Sequence, residues 1–226
     1  ERRVARQSVV VYNPDALEYL VVWSSASMED GDGDIWAQRI SWNGEGRGNL
    51  ISICDAEGDQ LSPDISYCPL SGEYLIAWED HRANKTSGAD ARARRVGADG
   101  QLIGDELAIA VGSGDQLHPQ IAYNIPAEQY LVVWQECGSN RDESDIFGQW
   151  LVADGGIAGD CFPICNSDGK QSVPVVVTVL SRSRCLVAWE DGRHSSWKLQ
   201  DIYARFVATG SQLEIFAAGG LSQLNL

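Results

Sequence analysis

The stretch Tyr74-Leu75-Ile76-Ala77-Trp78-Glu79-Asp80 decides the fold, because related stretches occur three more times along the chain. These are Tyr19-Leu20-Val21-Val22-Trp23, Tyr130-Leu131-Val132-Val133-Trp134 and Cys185-Leu186-Val187-Ala188-Trp189. Their tryptophans are 55, 56 and 55 positions apart, so the chain consists of four tandem repeats of about 55 residues. Consecutive apolar residues over so short a run are typical of a strand that is covered on both faces.

Each repeat also contains three further strand candidates. In the first repeat these are Val9–Tyr12, the segment that begins at Asp34, and Ile51–Ile53. The third-strand aspartate recurs as Asp34, Asp90, Asp145 and Asp201. No segment shows a sustained 3.6-residue period with helix caps, so we expect little helix.

Four short strands repeated around an axis are typical of a propeller blade, and a single unit of this size needs its neighbours to cover its faces. The sequence therefore predicts an all-β, four-bladed β-propeller that forms a single domain over residues 1–226. The blades are approximately residues 8–61, 62–117, 118–172 and 173–218, with a tail at 219–226. The repeated tryptophans are interpreted as packing between blades rather than as ligand contacts.

The charge balance excludes several partners. The chain has 17 basic and 32 acidic residues, which gives a net charge of −15. Phosphate groups would be repelled, so we expect no binding to nucleic acid, and no apolar run is long enough for insertion into a membrane. The six cysteines show no CxxC pair, which argues against structural zinc, and we expect one disulfide at most.

The repeats resemble those of large families of uncharacterised secreted or cell-surface bacterial proteins and, more distantly, the TolB-like propellers. The residues that carry the resemblance are the Tyr-Leu-Val-Val-Trp-Glu-Asp-x-Arg and Asp-Ile-Tyr-x-Gln-Arg patterns. The resemblance implies an extracellular or cell-surface propeller that is used for binding. The first repeat departs from the pattern with Ser24-Ser25 in place of Glu-Asp, and the third departs from it with Gln135-Glu136.

Polar residues follow the second strand of two repeats and precede the first strand of three. In a propeller these loops share one face, which is the predicted ligand-binding face. Its candidate residues are Glu79, Asp80, Arg82, Glu190, Asp191, Arg193, Gln60, Gln116 and Gln171. An alternative interpretation is that the aspartates and arginines pair with one another and fix the loops.

One loop suggests a metal. Asp30, Asp32 and Asp34 alternate with glycines, and three carboxylates at alternate positions can converge on calcium. Ile35 stands where an EF-hand loop needs glycine, so an EF-hand is excluded and a looser calcium loop or a solvated turn remains. No other cofactor is indicated.

No nucleophile elbow, zinc-protease motif, phosphate loop or dinucleotide fingerprint is present. The leading prediction is a non-enzymatic module, monomer or homodimer, that binds a protein or glycan through its loop face or central channel. A carbohydrate-active hydrolase or lyase and a structural repeat of a larger surface protein are the alternatives. Four tryptophans lie outside the repeated position and are candidates for ligand stacking or for ordinary packing: Trp36, Trp42, Trp150 and Trp197.

Overall fold

The computed structural model describes residues 3–27, 32–83, 87–138, 143–193 and 200–209, and these form an all-β chain of antiparallel sheets. The first sheet contains β1 (Arg3–Asn13), β2 (Glu18–Ser27), β3 (Gly33–Ser41) and β4 (Gly46–Cys54). The second contains β5 (Gln60–Cys68), β6 (Glu73–Asp80), β7 (Asp90–Gly97) and β8 (Leu102–Ala110). The third contains β9 (Asp115–Asn124), β10 (Gln129–Cys137), β11 (Ser144–Val152) and β12 (Ile157–Cys165). The fourth contains β13 (Gln171–Thr178), β14 (Arg184–Asp191) and β15 (Asp201–Ala208).

The predicted all-β class is confirmed, and three repeats form the expected four-stranded sheets. The fourth sheet has three strands among the described residues, and the residues after Thr209 lie outside them. The only helical segment among the described residues is a 3₁₀ turn at Ile125–Ala127. No helix in this part of the chain is long and apolar enough to cross a membrane.

The same turn joins the third and fourth strands of the first three sheets. Gly44, Gly100 and Gly155 occupy it with φ of 88°, 86° and 86°. Their amides donate to the carbonyl oxygens of Ser41, Gly97 and Val152 at 2.9 Å. Only glycine adopts this left-handed conformation without steric cost, so these glycines set the register of the outer hairpin.

The first strand of every sheet carries a bulge at an equivalent position, where the pairing with the second strand shifts. Gln7, Ser62, His118 and Val173 occupy the bulges with φ between 41° and 51°. A left-handed non-glycine residue is uncommon in a strand, and its recurrence shows that the bulge belongs to the repeat.

The chain divides into two compact units, Glu1–Gly112 and Ser113–Leu226, each with two sheets. In the first unit, Leu20, Val22 and Ile35 of the first sheet form one core with Tyr74 and Trp78 of the second. In the second unit, Leu131 and Ile146 of the third sheet form a core with Val187 and Trp189 of the fourth. Trp78 and Trp189 therefore pack between sheets, as predicted.

Candidate functional site

The hairpin that joins the second and third strands places a tryptophan, an acidic residue and an arginine together in the second and fourth sheets. Trp78 Nε1 donates to Asp80 Oδ2 at 2.9 Å, and Arg82 Nε and Nη2 donate to the two oxygens of Asp80 at 2.8 and 2.7 Å. Asp80 is fully buried. Arg82 also reaches Glu106 at 2.8 Å and the Cys54 sulfur at 3.2 Å.

The fourth sheet repeats this arrangement. Trp189 Nε1 donates to Asp191 at 2.9 Å, and Arg193 Nε and Nη2 bind the same carboxylate at 2.8 and 2.6 Å. The Arg193 guanidinium lies 4.3 Å from the centre of the Tyr203 ring and so covers one face of it. The two copies show the pairing of aspartate with arginine that was the alternative interpretation of these residues.

Hydrogen bonds dominate the electrostatics of these aspartates. Burial by itself would raise the pKa of Asp80, but the hydrogen bonds from Arg82 and Trp78 outweigh burial and lower it. Asp191 behaves in the same way beside Arg193 and Trp189. Both groups are therefore ionised and fully engaged within the hairpin, which is the chemistry of a structural ion pair rather than of an acid or base.

The third sheet lacks the arginine. Glu136 stands at the position of Asp80 and Asp191, and Gly138 stands at the position of Arg82 and Arg193. Trp134 Nε1 donates to Glu136 Oε2 at 2.8 Å, and Gln116 Nε2 donates to Glu136 Oε1 at 2.9 Å. Phe147 takes the place of Tyr203 and stacks on Trp134 with ring centres 6.3 Å apart.

A cleft of about 580 Å³ lies at this position. We call it the Glu136 cleft; its lining includes Glu136, Glu143, Asp145, Phe147, Asn166 and Asp168. Its size is within the range of small-molecule binding pockets. In the fourth sheet, Arg193 covers the Tyr203 ring. In the third sheet, the equivalent Phe147 ring lines an open cleft.

Two carboxyl groups of the cleft are direct neighbours. Glu136 of β10 pairs in register with Asp145 of β11, so their side chains project from the same face of the sheet. Burial raises the pKa of Asp145, and the negative charges of Glu136 and Glu143 raise it further. The cleft therefore contains the Asp145 carboxyl group, whose raised pKa lets it retain its proton to higher pH. It also contains the Glu136 carboxylate, whose two oxygens accept hydrogen bonds.

The other predicted ligand-face residues have internal partners or lie at strand ends. Glu79 is buried, with its Oε1 2.6 Å from His81 Nε2, and Glu190 is half-buried on β14. Gln60 and Gln171 are fully buried and donate to backbone carbonyls of the preceding loop, those of Gly58 and Gly169 among them. Of the predicted set, Gln116 and Gln171 contact residues that line the cleft: Gln116 donates to Glu136, and Gln171 donates to the backbone carbonyls of Asp168 and Gly169.

The predicted calcium loop is described only in part, because Asp30 lies outside the described residues. Asp32 accepts a hydrogen bond from the Gly58 amide at 3.2 Å, and Asp34 is buried at the start of β3. Within the described ranges no three His, Cys, Asp or Glu side chains are grouped to hold a metal ion. A calcium site that includes Asp30 stays a prediction.

The tryptophans proposed for stacking are not brought together. Trp150 is buried in the core of the second unit, Trp36 is half-buried and Trp42 is exposed. Trp197 lies outside the described residues. None of the six cysteines forms a disulfide in this structure.

Glu136, Asp145 and Phe147 are not among the site residues predicted from the sequence, although the change to Gln135-Glu136 in the third repeat is visible there. The missing signal was Gly138, because with glycine at the arginine position no guanidinium from that position pairs with the acidic residue or covers the aromatic ring. The meaning of Gly138 becomes clear only from the structure of the fourth sheet, where Arg193 covers both Asp191 and Tyr203.

A scan of the sequence against models of protein families gives no match, and a search among curated proteins gives none either. Solved structures do match. An α-L-arabinanase from Penicillium chrysogenum, complexed with arabinobiose, aligns with 90% of this chain at a TM-score of 0.67 and 13% identity. Zg3597 from Zobellia galactanivorans, a family 117 glycoside hydrolase, aligns with 96% at 0.62 and 12% identity. An N-acetylgalactosamine deacetylase from F. plautii aligns with 84% at 0.58 and 11% identity.

At these identities the likeness concerns the fold alone, which is an all-β fold of the β-propeller type. The chain spans 62% of the arabinanase, 63% of the deacetylase and 70% of the family 117 enzyme.

Proposed function

We propose that the protein binds a carbohydrate in the Glu136 cleft and hydrolyses a glycosidic bond there. The observation that carries the proposal is the replacement of an arginine by Gly138, which opens a cleft beside an aromatic ring and two neighbouring carboxyl groups. The likeness to carbohydrate-active propellers supports the same class of ligand.

The shape and lining of the cleft suit a sugar. Phe147 offers an apolar surface for the carbon-bound hydrogens of a pyranose or furanose ring. Asn166, Ser167 and Asp168 of the loop between β12 and β13 offer polar groups for its hydroxyls. A neutral ligand is favoured over an anionic one, because Glu136, Glu143, Asp145 and Asp168 would repel a negative charge.

Glycoside hydrolysis needs two carboxyl groups that flank the bond to be cleaved, one protonated and one ionised. Asp145 is the acid, because its raised pKa favours the protonated form. It gives its proton to the glycosidic oxygen as the bond from that oxygen to the anomeric carbon breaks. Glu136 takes a proton from the water whose oxygen forms the new bond to the anomeric carbon, so one water is consumed for each bond cleaved.

The test is an assay of the full chain on arabinan, other neutral polysaccharides and their oligosaccharides, with new reducing ends as the readout. We expect Asp145→Asn and Glu136→Gln each to lower the rate by about 100-fold or more while calorimetry still detects oligosaccharide binding. Glu57→Gln, which changes an exposed carboxylate in the other unit, is the matched control and should change neither the rate of hydrolysis nor oligosaccharide binding. No binding to any glycan would overturn the proposal.

The pH profile separates catalysis from mere binding. Activity that depends on protonated Asp145 is lost as the pH rises through its raised pKa. Glu143→Gln removes one charge that raises this pKa, so the alkaline limb should move to lower pH. Binding to wild type without cleavage at any pH would favour the non-enzymatic binding module and refute hydrolysis.

A further inference from the structure

Each sheet has two faces, because successive side chains of a strand point to opposite sides. The two faces are of different kinds, and each core between two sheets forms where a face of one kind packs on a face of the other kind. We call the first kind the tyrosine face, and in the first sheet its central residues are Val10, Tyr12, Tyr19, Val21, Trp23, Trp36, Gln38 and Ile40. We call the second kind the valine face, and in the fourth sheet its central residues are Val175, Val177, Leu186, Ala188, Ile202, Ala204 and Phe206.

Within each unit a valine face covers a tyrosine face. In the first unit, Leu20, Val22 and Ile35 of the first sheet pack against Tyr74 and Trp78 of the second. In the second unit, the equivalent residues Leu131, Val133 and Ile146 pack against Val187 and Trp189. The repeat thus has one mode of stacking, in which unlike faces meet.

Two faces are left uncovered by the described residues. On the tyrosine face of the first sheet, Tyr19 is 39% exposed and Val10 is 60% exposed, whereas Tyr74 at the equivalent position of the second sheet is 0% exposed. On the valine face of the fourth sheet, Ile202 is 42% and Val177 is 58% exposed, whereas Ile35 at the equivalent position of the first sheet is 0% exposed.

Neither face is built like a solvent-facing surface. The eight central residues of the tyrosine face are uncharged, and its charged residue Asp34 lies at the end of the face, beyond Trp36. The seven central residues of the valine face are apolar, in a chain with 22% charged residues. Its charged residues Glu190 and Arg184 lie at the two ends of the face, and the Arg184 guanidinium is 4.2 Å from the centre of the Phe206 ring. Contiguous apolar patches of this kind mark protein interaction sites. Because the two exposed faces are of opposite kind, each is the partner that the other lacks.

We propose that copies of this chain associate head to tail, with the valine face of the fourth sheet in one copy packed on the tyrosine face of the first sheet in the next. The contact repeats the stacking already present inside each unit. It is heterologous, so one copy contributes one face and its neighbour contributes the other. The proposal is independent of the Glu136 cleft.

The test is sedimentation velocity of the full chain over a wide range of concentrations. We expect species heavier than the 24.6 kDa monomer, and we expect Val10→Lys and Val177→Lys each to abolish them. Both side chains are exposed, so the monomer fold should survive, which a thermal melt checks. Each added lysine also makes the net charge of −15 less negative, so dissociation cannot be attributed to greater overall repulsion between copies. Ile157→Lys, an exposed apolar residue on β12 that belongs to neither face, is the control and should still associate.

The decisive arm is a mixture of the two monomeric variants. The Val10→Lys copy retains its valine face and the Val177→Lys copy retains its tyrosine face, so the mixture should form a dimer that neither variant forms alone. A monomer at every concentration, or association that only one of the two substitutions abolishes, would overturn the proposal. A full chain that stays monomeric while a chain ending at Thr209 associates would show that residues 210–226 cover the face, and would overturn it too.

Discussion

Arg82 and Arg193 stabilise the protein by neutralising buried aspartates. Removing one partner of such a pair leaves a buried charge, which costs far more than the loss of an exposed ion pair. We expect Arg82→Ala to lower the free energy of unfolding by about 2–4 kcal/mol, since the arginine is itself partly exposed. The measurement is the midpoint of urea unfolding at neutral pH.

The matched control is Arg47→Ala. Arg47 lies 3.5 Å from buried Glu18, but its side chain is half exposed, and Arg39 already holds that carboxylate at 2.8 Å. We expect a loss below about 1 kcal/mol. The Asp80 pKa is lowered, so its contribution to stability is present above the ordinary aspartate pKa and is lost as the pH falls through the lowered value. A wild-type advantage over Arg82→Ala that does not shrink in strong acid would contradict this account.

At the scale of the strand and hairpin, one glycine before the first strand positions the loop that lies against the end of the second strand. Gly58, Gly114 and Gly169 have φ of 87°, 111° and 86°. A Cβ at Gly114 would collide with the Cys137 carbonyl oxygen, and a Cβ at Gly58 would come within 3.1 Å of the His81 carbonyl oxygen. The loop therefore lies directly against the end of the second strand.

Gly114→Ala should destabilise the protein by about 2 kcal/mol or more, because alanine is strained at this φ and the backbone must also move apart. Gly112→Ala is the control, since its Cβ would enter open space at an ordinary φ, and we expect a change within about 0.5 kcal/mol. Differential scanning calorimetry of the two variants checks the difference, and equal melting temperatures would contradict it.

The sequence was sufficient to predict the strands because each strand repeats a strong local signal. The repeated apolar runs that end in tryptophan lie within β2, β6, β10 and β14, and Asp90 and Asp201 begin β7 and β15 as expected. The bulges at Ser62 and Val173 were not predictable, since nothing in these residue types favours positive φ. The Glu136 cleft was not predicted either, because it arises from the absence of an arginine that only the structure shows to be a cover.

At the scale of the whole molecule, the chain combines four copies of a sheet that we expect to be unstable by itself. A single four-stranded sheet exposes two apolar faces, whereas two stacked sheets bury one face of each in a shared core. The core of the first unit lies entirely within Glu1–Gly112 and contains Leu20, Ile35, Tyr74 and Trp78.

We therefore expect residues 1–112 to fold without the rest of the chain. The fragment should give a β-type circular dichroism spectrum, a cooperative urea transition and blue-shifted tryptophan emission from buried Trp78. A fragment of residues 1–57 is the control, and it should stay unfolded because no second sheet covers Leu20, Val22 and Ile35. If 1–112 lacked a cooperative transition, the inter-sheet core would not suffice for folding, and stability would have to come from the full array of four repeats.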